Sequence, residues 1–183
     1  MKHASTLYLC IALMTLALPA QAAIEVSFIE DAPKDRFVIV NTSACTLADL
    51  QIMIDLGPST GGLYFDTTDA GAGVQVFQPF EVTMGDIKLL QQNGEREHGV
   101  GDGQTALTVQ IAQLAPGARA EFTIDVDDTV VNSRMGQTRV ATEEIVGARI
   151  ALYRAARPSL EGYFNAAGKA VTPPLECTAG KEG

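Results

Sequence analysis

Alternation of apolar and polar side chains with a period of two is the feature that most restricts the fold of this chain. The pattern is clearest in Leu114–Thr129 (LAPGARAEFTIDVDDT), which follows a turn at its Pro-Gly pair. A period of two gives a β-strand one apolar face and one polar face. The same alternation predicts that three acidic side chains gather on the solvent side of the strand end: Asp125, Asp127 and Asp128.

The same period recurs in Leu50–Leu56, Leu107–Ile111 and Val146–Leu152, with Gly- and Pro-rich turns between the segments. About nine or ten short strands predict an all-β fold, an antiparallel β-sandwich of immunoglobulin-like or fibronectin-like general architecture with long loops. A short helix is predicted at 86–92, where an aspartate precedes the segment and Asn-Gly follows it. The predicted core comprises Leu50, Ile52, Ile54, Leu107, Val109, Phe122, Ile124, Val126, Ile150 and Leu152.

The first 22 residues have the composition of a secretory signal peptide: a basic start, a short apolar run and Ala-Gln-Ala before the predicted cleavage site. Residues 23–183 then form a single β-sandwich domain, exported to the periplasm or the outside, with no membrane span after cleavage. Cys10 raises the alternative of a lipoprotein signal. It lies too early in the apolar run for that role, and a bulky Leu9 precedes it.

The formal net charge of the chain is −9, which disfavours nucleic acid as a partner because its phosphates would be repelled. An acidic surface favours either cations as ligands or simple solubility. Cys45 and Cys177 are the two cysteines beyond the signal peptide, and a pair in an exported domain predicts one disulfide. A catalytic thiol is the alternative, but no histidine lies near either cysteine in sequence.

The sequence predicts no catalytic residues. His98 is the one histidine beyond the signal peptide, no G-x-S-x-G turn presents a serine, and too few His and Cys residues remain for a zinc site. Acid pairs such as Glu143-Glu144 could serve a glycosidase only at a separation that sequence does not give.

Calcium is the one predicted ligand, because it takes six to eight oxygen ligands that loops of a β-domain can supply. Asp125, Asp127 and Asp128 are the predicted calcium ligands. Two other acidic groups could converge on them if their loops lie at the same end of the domain. These are Asp66 with Asp69, and Glu30 with Asp31 and Asp35. A solvated acidic face that binds no metal is the alternative.

Three stretches resemble the bacterial exported proteins of the aggregation factor core family: Val26–Asn41 (VSFIEDAPKDRFVIVN), Gly61–Val82 (GGLYFDTTDAGAGVQVFQPFEV) and Leu114–Thr129. Glu144–Ala148 is similar too, so the resemblance extends to about Leu152 and is weakest in the tail. It implies a shared fold. The family name comes from an animal cell-aggregation factor, a calcium-dependent adhesive, and therefore implies a role in contact between cells.

The expected function is that of an exported, non-enzymatic cell-surface or extracellular adhesion or aggregation component, assisted by calcium. Its expected partner is an unidentified cell-surface or matrix component. Two alternatives stay open: a carbohydrate-binding or carbohydrate-active module on the same sandwich, and a periplasmic accessory domain with no adhesion role.

Overall fold

A computed structural model describes residues 23–31, 33–69, 73, 76–90, 100–131, 133, 135–136, 139–153, 159–175 and 177. The predicted signal peptide and His98 lie outside these residues. The described residues form twelve strands and one short 3-10 helix, Thr142–Ile145. The strands are β1 Ile24–Ile29, β2 Asp35–Asn41, β3 Leu47–Asp55, β4 Tyr64–Phe65, β5 Glu81–Met84, β6 Ile87–Leu90, β7 Ala106–Leu114, β8 Arg119–Ile124, β9 Val126–Asp127, β10 Arg149–Tyr153, β11 Leu160–Tyr163 and β12 Lys169–Val171.

Two antiparallel sheets of five strands each make up the domain, which confirms the predicted β-sandwich. The first sheet has the order β12-β1-β2-β8-β5, and the second has the order β11-β10-β3-β7-β6. The strands β4 and β9 form a separate two-stranded ladder at one end of the sandwich. Buried apolar side chains from both sheets form one continuous core.

All ten residues of the predicted core are buried, because the period-two pattern assigns each strand the face that it turns inwards. In the first sheet the core contains a row of aromatic rings. Phe122 stacks on Phe37 with ring centroids 5.2 Å apart, and Phe80 lies 4.8 Å away on its other side. These contacts hold β2 and β8 in register at the centre of the sheet.

The predicted helix at 86–92 is wrong, since Ile87–Leu90 is the edge strand β6. Ile87 pairs with Ile111 and is buried, and Leu89 pairs with Val109. Pairing along β7 therefore outweighs the local helix-start signal, as tertiary contacts commonly do for short segments. Residues 91 and 92 lie outside the described part of the chain.

The sulfur atoms of Cys45 and Cys177 lie 2.19 Å apart, at disulfide distance, as the sequence predicts. Cys45 precedes β3, and Cys177 follows β12, so the pair joins the start of the second sheet to the tail beyond the first. Within the described residues, no helix has the length and apolar character needed to cross a membrane.

Candidate functional site

The candidate site lies where the chain leaves the first sheet at the end of β8. After Ile124, the backbone N–H of Asp125 donates to Gln78, and its carbonyl accepts from the N–H of Asp66. The next two residues form β9, which pairs with β4 rather than with the first sheet. The aspartates of the sequence Asp-Val-Asp-Asp are thereby brought beside those that follow β4.

The aspartates at this strand end are buried, and the prediction that they lie on the solvent side is wrong. The exposed fraction is 5% for Asp125, 0% for Asp127 and 1% for Asp128, and Asp66 is also at 0%. Alternation decides exposure only while a strand stays in its sheet. Here β4 covers the segment through the β4–β9 ladder, so both faces become interior.

The carboxyl group of Asp66 is fully buried between the carboxyl groups of Asp102 and Asp127. Neither of its oxygens is exposed, and neither accepts a hydrogen bond from a donor in the described part of the chain. Gly73 lies so close that a Cβ there would be 2.0 Å from the Asp66 carboxyl carbon. Burial, together with the neighbouring carboxyl groups of Asp102 and Asp127, raises the pKa of Asp66 to about 8. The contacts between carboxyl groups are hydrogen bonds only when one of them carries a proton.

Asp102 stays ionised beside Asp66 because backbone donors surround it. Burial opposes its charge, but the N–H groups of Thr67, at 2.8 Å, and Thr68, at 3.3 Å, donate to Oδ1. The N–H of Gly73 adds a third backbone donor, and the net effect is a lowered pKa for Asp102. A hydrogen bond from the Asp66 carboxyl group also lowers the pKa of Asp102, so the ionised form of Asp102 is favoured beside a protonated Asp66.

Tyr64 borders the cluster on the side of Asp127. Its hydroxyl donates to Oδ2 of Asp127 over 3.5 Å, which is a long hydrogen bond. Burial and the nearby charges of Asp127 and Asp66 raise the pKa of Tyr64 to about 12. The tyrosine therefore stays neutral and acts as a donor to this acidic cluster.

Asp125 points to a second group of acids around Asp35, the first residue of β2. The Val126 N–H donates to Oδ2 of Asp35 over 3.0 Å. Burial and then the charge of Asp127 raise the pKa of Asp125 to about 7, and burial and the charge of Asp125 raise that of Asp35. Both carboxyl groups line a cavity of about 200 Å³.

Asp128 completes the cluster, and its neighbours are Val130 and Glu144. One oxygen, Oδ1, accepts from the Val130 N–H over 2.6 Å. The other oxygen is buried, and no donor of a described residue reaches it. Burial raises the pKa of Asp128 against the effect of the Val130 N–H, and the charge of Glu144 adds to the rise.

Basic side chains of the described residues form no ion pair with Asp66, Asp125 or Asp128, since none of their lysine or arginine nitrogens lies within ion-pair distance. Buried carboxylates without a cation must either take up protons or bind a cation from solution. As placed, no three acidic, His or Cys side chains of the described residues are arranged to hold a metal ion.

The sequence analysis names two further groups of acids that could converge on the cluster, one containing Asp66 and the other containing Asp35. Both of these aspartates lie at this end of the domain. Asp66 approaches Asp127, and Asp35 approaches Asp125, whereas Asp69 is exposed and stays outside the cluster. Asp102 is not among the site residues that the sequence analysis singles out. The signal was an aspartate between two glycines, a turn that can point a carboxylate at neighbouring backbone N–H groups.

No family model, curated protein or solved structure matches this chain.

Proposed function

We propose that the protein is an exported, non-enzymatic adhesion or aggregation component that binds calcium at its cluster of buried aspartates. The observation that carries the calcium part is the Asp66 carboxylate, which is fully buried with no described hydrogen-bond donor at either oxygen. Leaving a buried polar atom unsatisfied costs about 1–3 kcal/mol, and more for a charged group. A bound cation removes that cost.

The donor set suits a hard cation. Among the described residues, carboxylate oxygens of Asp66 and Asp128 are buried and unpartnered, and none of the ligand atoms in the cluster is a sulfur or an imidazole nitrogen. Calcium accepts such oxygens together with backbone carbonyls and waters in a flexible shell, whereas magnesium demands a smaller and stricter one. Extracellular calcium modules bind their ion with dissociation constants of about 10⁻⁴–10⁻³ M, and we expect the same range here.

A contact role has its support in the first sheet. All four residues of β5 are exposed at the edge of that sheet, including the apolar side chains of Val82 and Met84. An edge strand presents backbone N–H and C=O groups that a partner strand can pair with. The resemblance to the aggregation factor core family adds the expectation that the partner lies on a cell surface or in the matrix.

Thermal unfolding with calcium and with magnesium at equal concentrations tests the calcium site. We expect calcium to raise the melting temperature more than magnesium, because a ligand that binds only the folded state stabilises it. At 100 times the dissociation constant the gain is about 2.7 kcal/mol. Asp66→Asn should reduce the difference between the two ions, and Asp86→Asn, which removes the same charge from an exposed residue, should leave it unchanged. Equal shifts by both ions in the wild type would indicate general screening of an acidic surface and would contradict the site.

A terbium titration locates the ion independently. Terbium occupies calcium sites, and its emission is excited through a nearby tyrosine; the chain has no tryptophan to compete. Tyr64 adjoins Asp127, so Tyr64→Phe should remove most of the emission while calcium still raises the melting temperature. Emission that Tyr64→Phe leaves unchanged would place the ion elsewhere.

The adhesion part of the proposal has its own test. Cells that produce the protein should clump in calcium and disperse when a chelator is added, and cells that produce Asp66→Asn should clump less. Clumping that is equal for both proteins would separate adhesion from the aspartate cluster.

A further inference from the structure

The cavity beside Asp125 is lined by more negative than positive groups. Four carboxylates and one guanidinium face a volume of about 200 Å³, together with two apolar side chains. The lining residues are Glu30, Asp31, Pro33, Asp35, Val76, Asp125 and Arg139. The cavity lies between the turn that joins β1 to β2 and the segment that leads from β8 to β9.

The nearby arginines are engaged by the outer carboxylates of the cavity. Arg139 Nε lies 2.7 Å from Oε1 of Glu30, and Arg36 lies 2.5 Å from Oδ2 of Asp31. Neither arginine comes within ion-pair distance of Asp35 or Asp125, and no other basic side chain of the described residues does. The charge of Arg139 acts on Asp35 across the cavity, but the inner pair of carboxylates has no ion-pair contact with a basic side chain of the described residues.

The Val126 N–H serves both Asp35 and Asp125, and the Asp31 N–H is a second backbone donor to Asp35. The Val126 N–H donates to Asp35 over 3.0 Å, and it also lies close enough to the Asp125 carboxylate to favour the charge there. Asp125 is 95% buried, and its Oδ2 atom has no hydrogen-bond donor among the described residues. The charge of Asp125 acts on Asp35, and two buried carboxylates this close repel each other unless a proton or a cation lies between them.

We infer that Asp35 and Asp125 form a second calcium subsite, in this cavity and separate from the site at Asp66. The identity of the ion rests on the proposed function. Carboxylate oxygens of the pair and waters that enter from the open side of the cavity make up a shell of the kind that calcium accepts. The residues Asp125–Asp127 join the two subsites, since Asp125 faces the cavity and Asp127 faces Asp66.

Equilibrium dialysis against calcium counts the ions bound by the purified wild-type protein and its variants. We expect two ions per chain for the wild type and one for Asp35→Asn, because an amide keeps the acceptor for Val126 but removes the charge. Asp66→Asn should also bind one ion, and the double variant should bind none. Asp86→Asn, the exposed charge control, should bind two.

The outcomes separate this inference from the proposed function. A wild type that binds one ion, unaffected by Asp35→Asn but lost in Asp66→Asn, overturns the second subsite and leaves the first. A wild type that binds none overturns both. The subsite is also overturned if the wild type binds one ion and Asp35→Asn raises the melting temperature above that of the wild type by the same amount with calcium as without it. That result means that the pair holds a proton.

A second variant covers the case in which Asp35→Asn does not fold, judged by its near-ultraviolet circular dichroism. Asp125→Asn alters the other member of the pair and keeps the shape of the side chain. We expect it to bind one ion. Two ions bound by folded Asp125→Asn would overturn the subsite as clearly as two bound by Asp35→Asn.

Discussion

Strand β2 has a buried polar side chain at each end, Asp35 where it begins and Asn41 where it finishes. At about 3.3 Å per residue the two lie roughly 20 Å apart. Asn41 belongs to a satisfied neutral group: its amide donates to the carbonyls of Cys45 and Leu114, each over 2.8 Å. Its carbonyl oxygen accepts from the N–H and the hydroxyl of Ser43.

The opposite end of the same strand has buried charge without matching donors. Asp125 and Asp66 both keep at least one buried oxygen that no described donor reaches. Satisfied buried polar groups stabilise and specify a fold, whereas unsatisfied ones require an explanation beyond stability. The Asn41 end of β2 is therefore structural, because its hydrogen bonds tie the two sheets together. The Asp35 end is suited to binding a cation.

Loss of the disulfide should lower the free energy of unfolding more than any other change, without affecting calcium binding at the aspartate end of β2. Replacing Cys45 and Cys177 by Ala opens a closed loop with a sequence separation of 132 residues, which costs about 4–5 kcal/mol in the chain-entropy treatment. Chemical denaturation of the variant measures the loss. The difference between calcium and magnesium should survive in it. If that difference vanishes with the disulfide, the two ends are not independent.

Asn41→Ala should come next, because it removes the side-chain donor to the Leu114 carbonyl and the side-chain acceptor of the Ser43 N–H. Among the described residues, the Cys45 carbonyl then keeps only the Ser43 hydroxyl as a side-chain donor. We expect a loss of about 2–4 kcal/mol in the free energy of unfolding, with no dependence on calcium or on pH between 5 and 8. Ser43→Ala is the graded control and should cost about 1 kcal/mol, since Asn41 keeps both of its donated bonds. A loss for Asn41→Ala no larger than that for Ser43→Ala would show that the polar link between the sheets contributes little.

Asp66→Asn should change the free energy of unfolding least, and the change should depend on pH. With its pKa at about 8, folded Asp66 keeps a proton that the unfolded chain releases above about pH 4. The folded state therefore binds more protons between these values, and the free energy of unfolding falls as pH rises through that window. Without calcium, Asp66→Asn should flatten this slope and stabilise the protein at pH 8 by about 1–3 kcal/mol.

Melting temperatures from pH 5 to pH 8 in a chelating buffer check this slope. Asp125, with its pKa at about 7, and Asp35 should leave a residual slope of the same sign in the variant. A wild type whose stability rises from pH 5 to pH 8 without calcium would contradict the raised pKa of Asp66 and weaken the contrast between the two ends of β2.

The sequence alone determined the sandwich, its core and the cysteine pair. A strand turns alternate side chains to opposite faces, so Phe122, Ile124 and Val126 could be assigned to the core without knowledge of their partners. Two cysteines beyond the predicted signal peptide left one pairing to predict, and their sulfurs lie at disulfide distance. These properties follow from local backbone geometry or from simple counting, which the sequence contains.

The tertiary structure decided which acids meet and whether water reaches them. Asp127 is buried because β9 leaves the first sheet and pairs with β4, and nothing in the alternation of Asp125, Val126 and Asp127 records that change of partner. Asp102 joins Asp66 only because their loops lie at one end of the sandwich. Strand order and loop convergence arise from contacts between residues far apart in sequence, so the local pattern that fixes each strand cannot specify them.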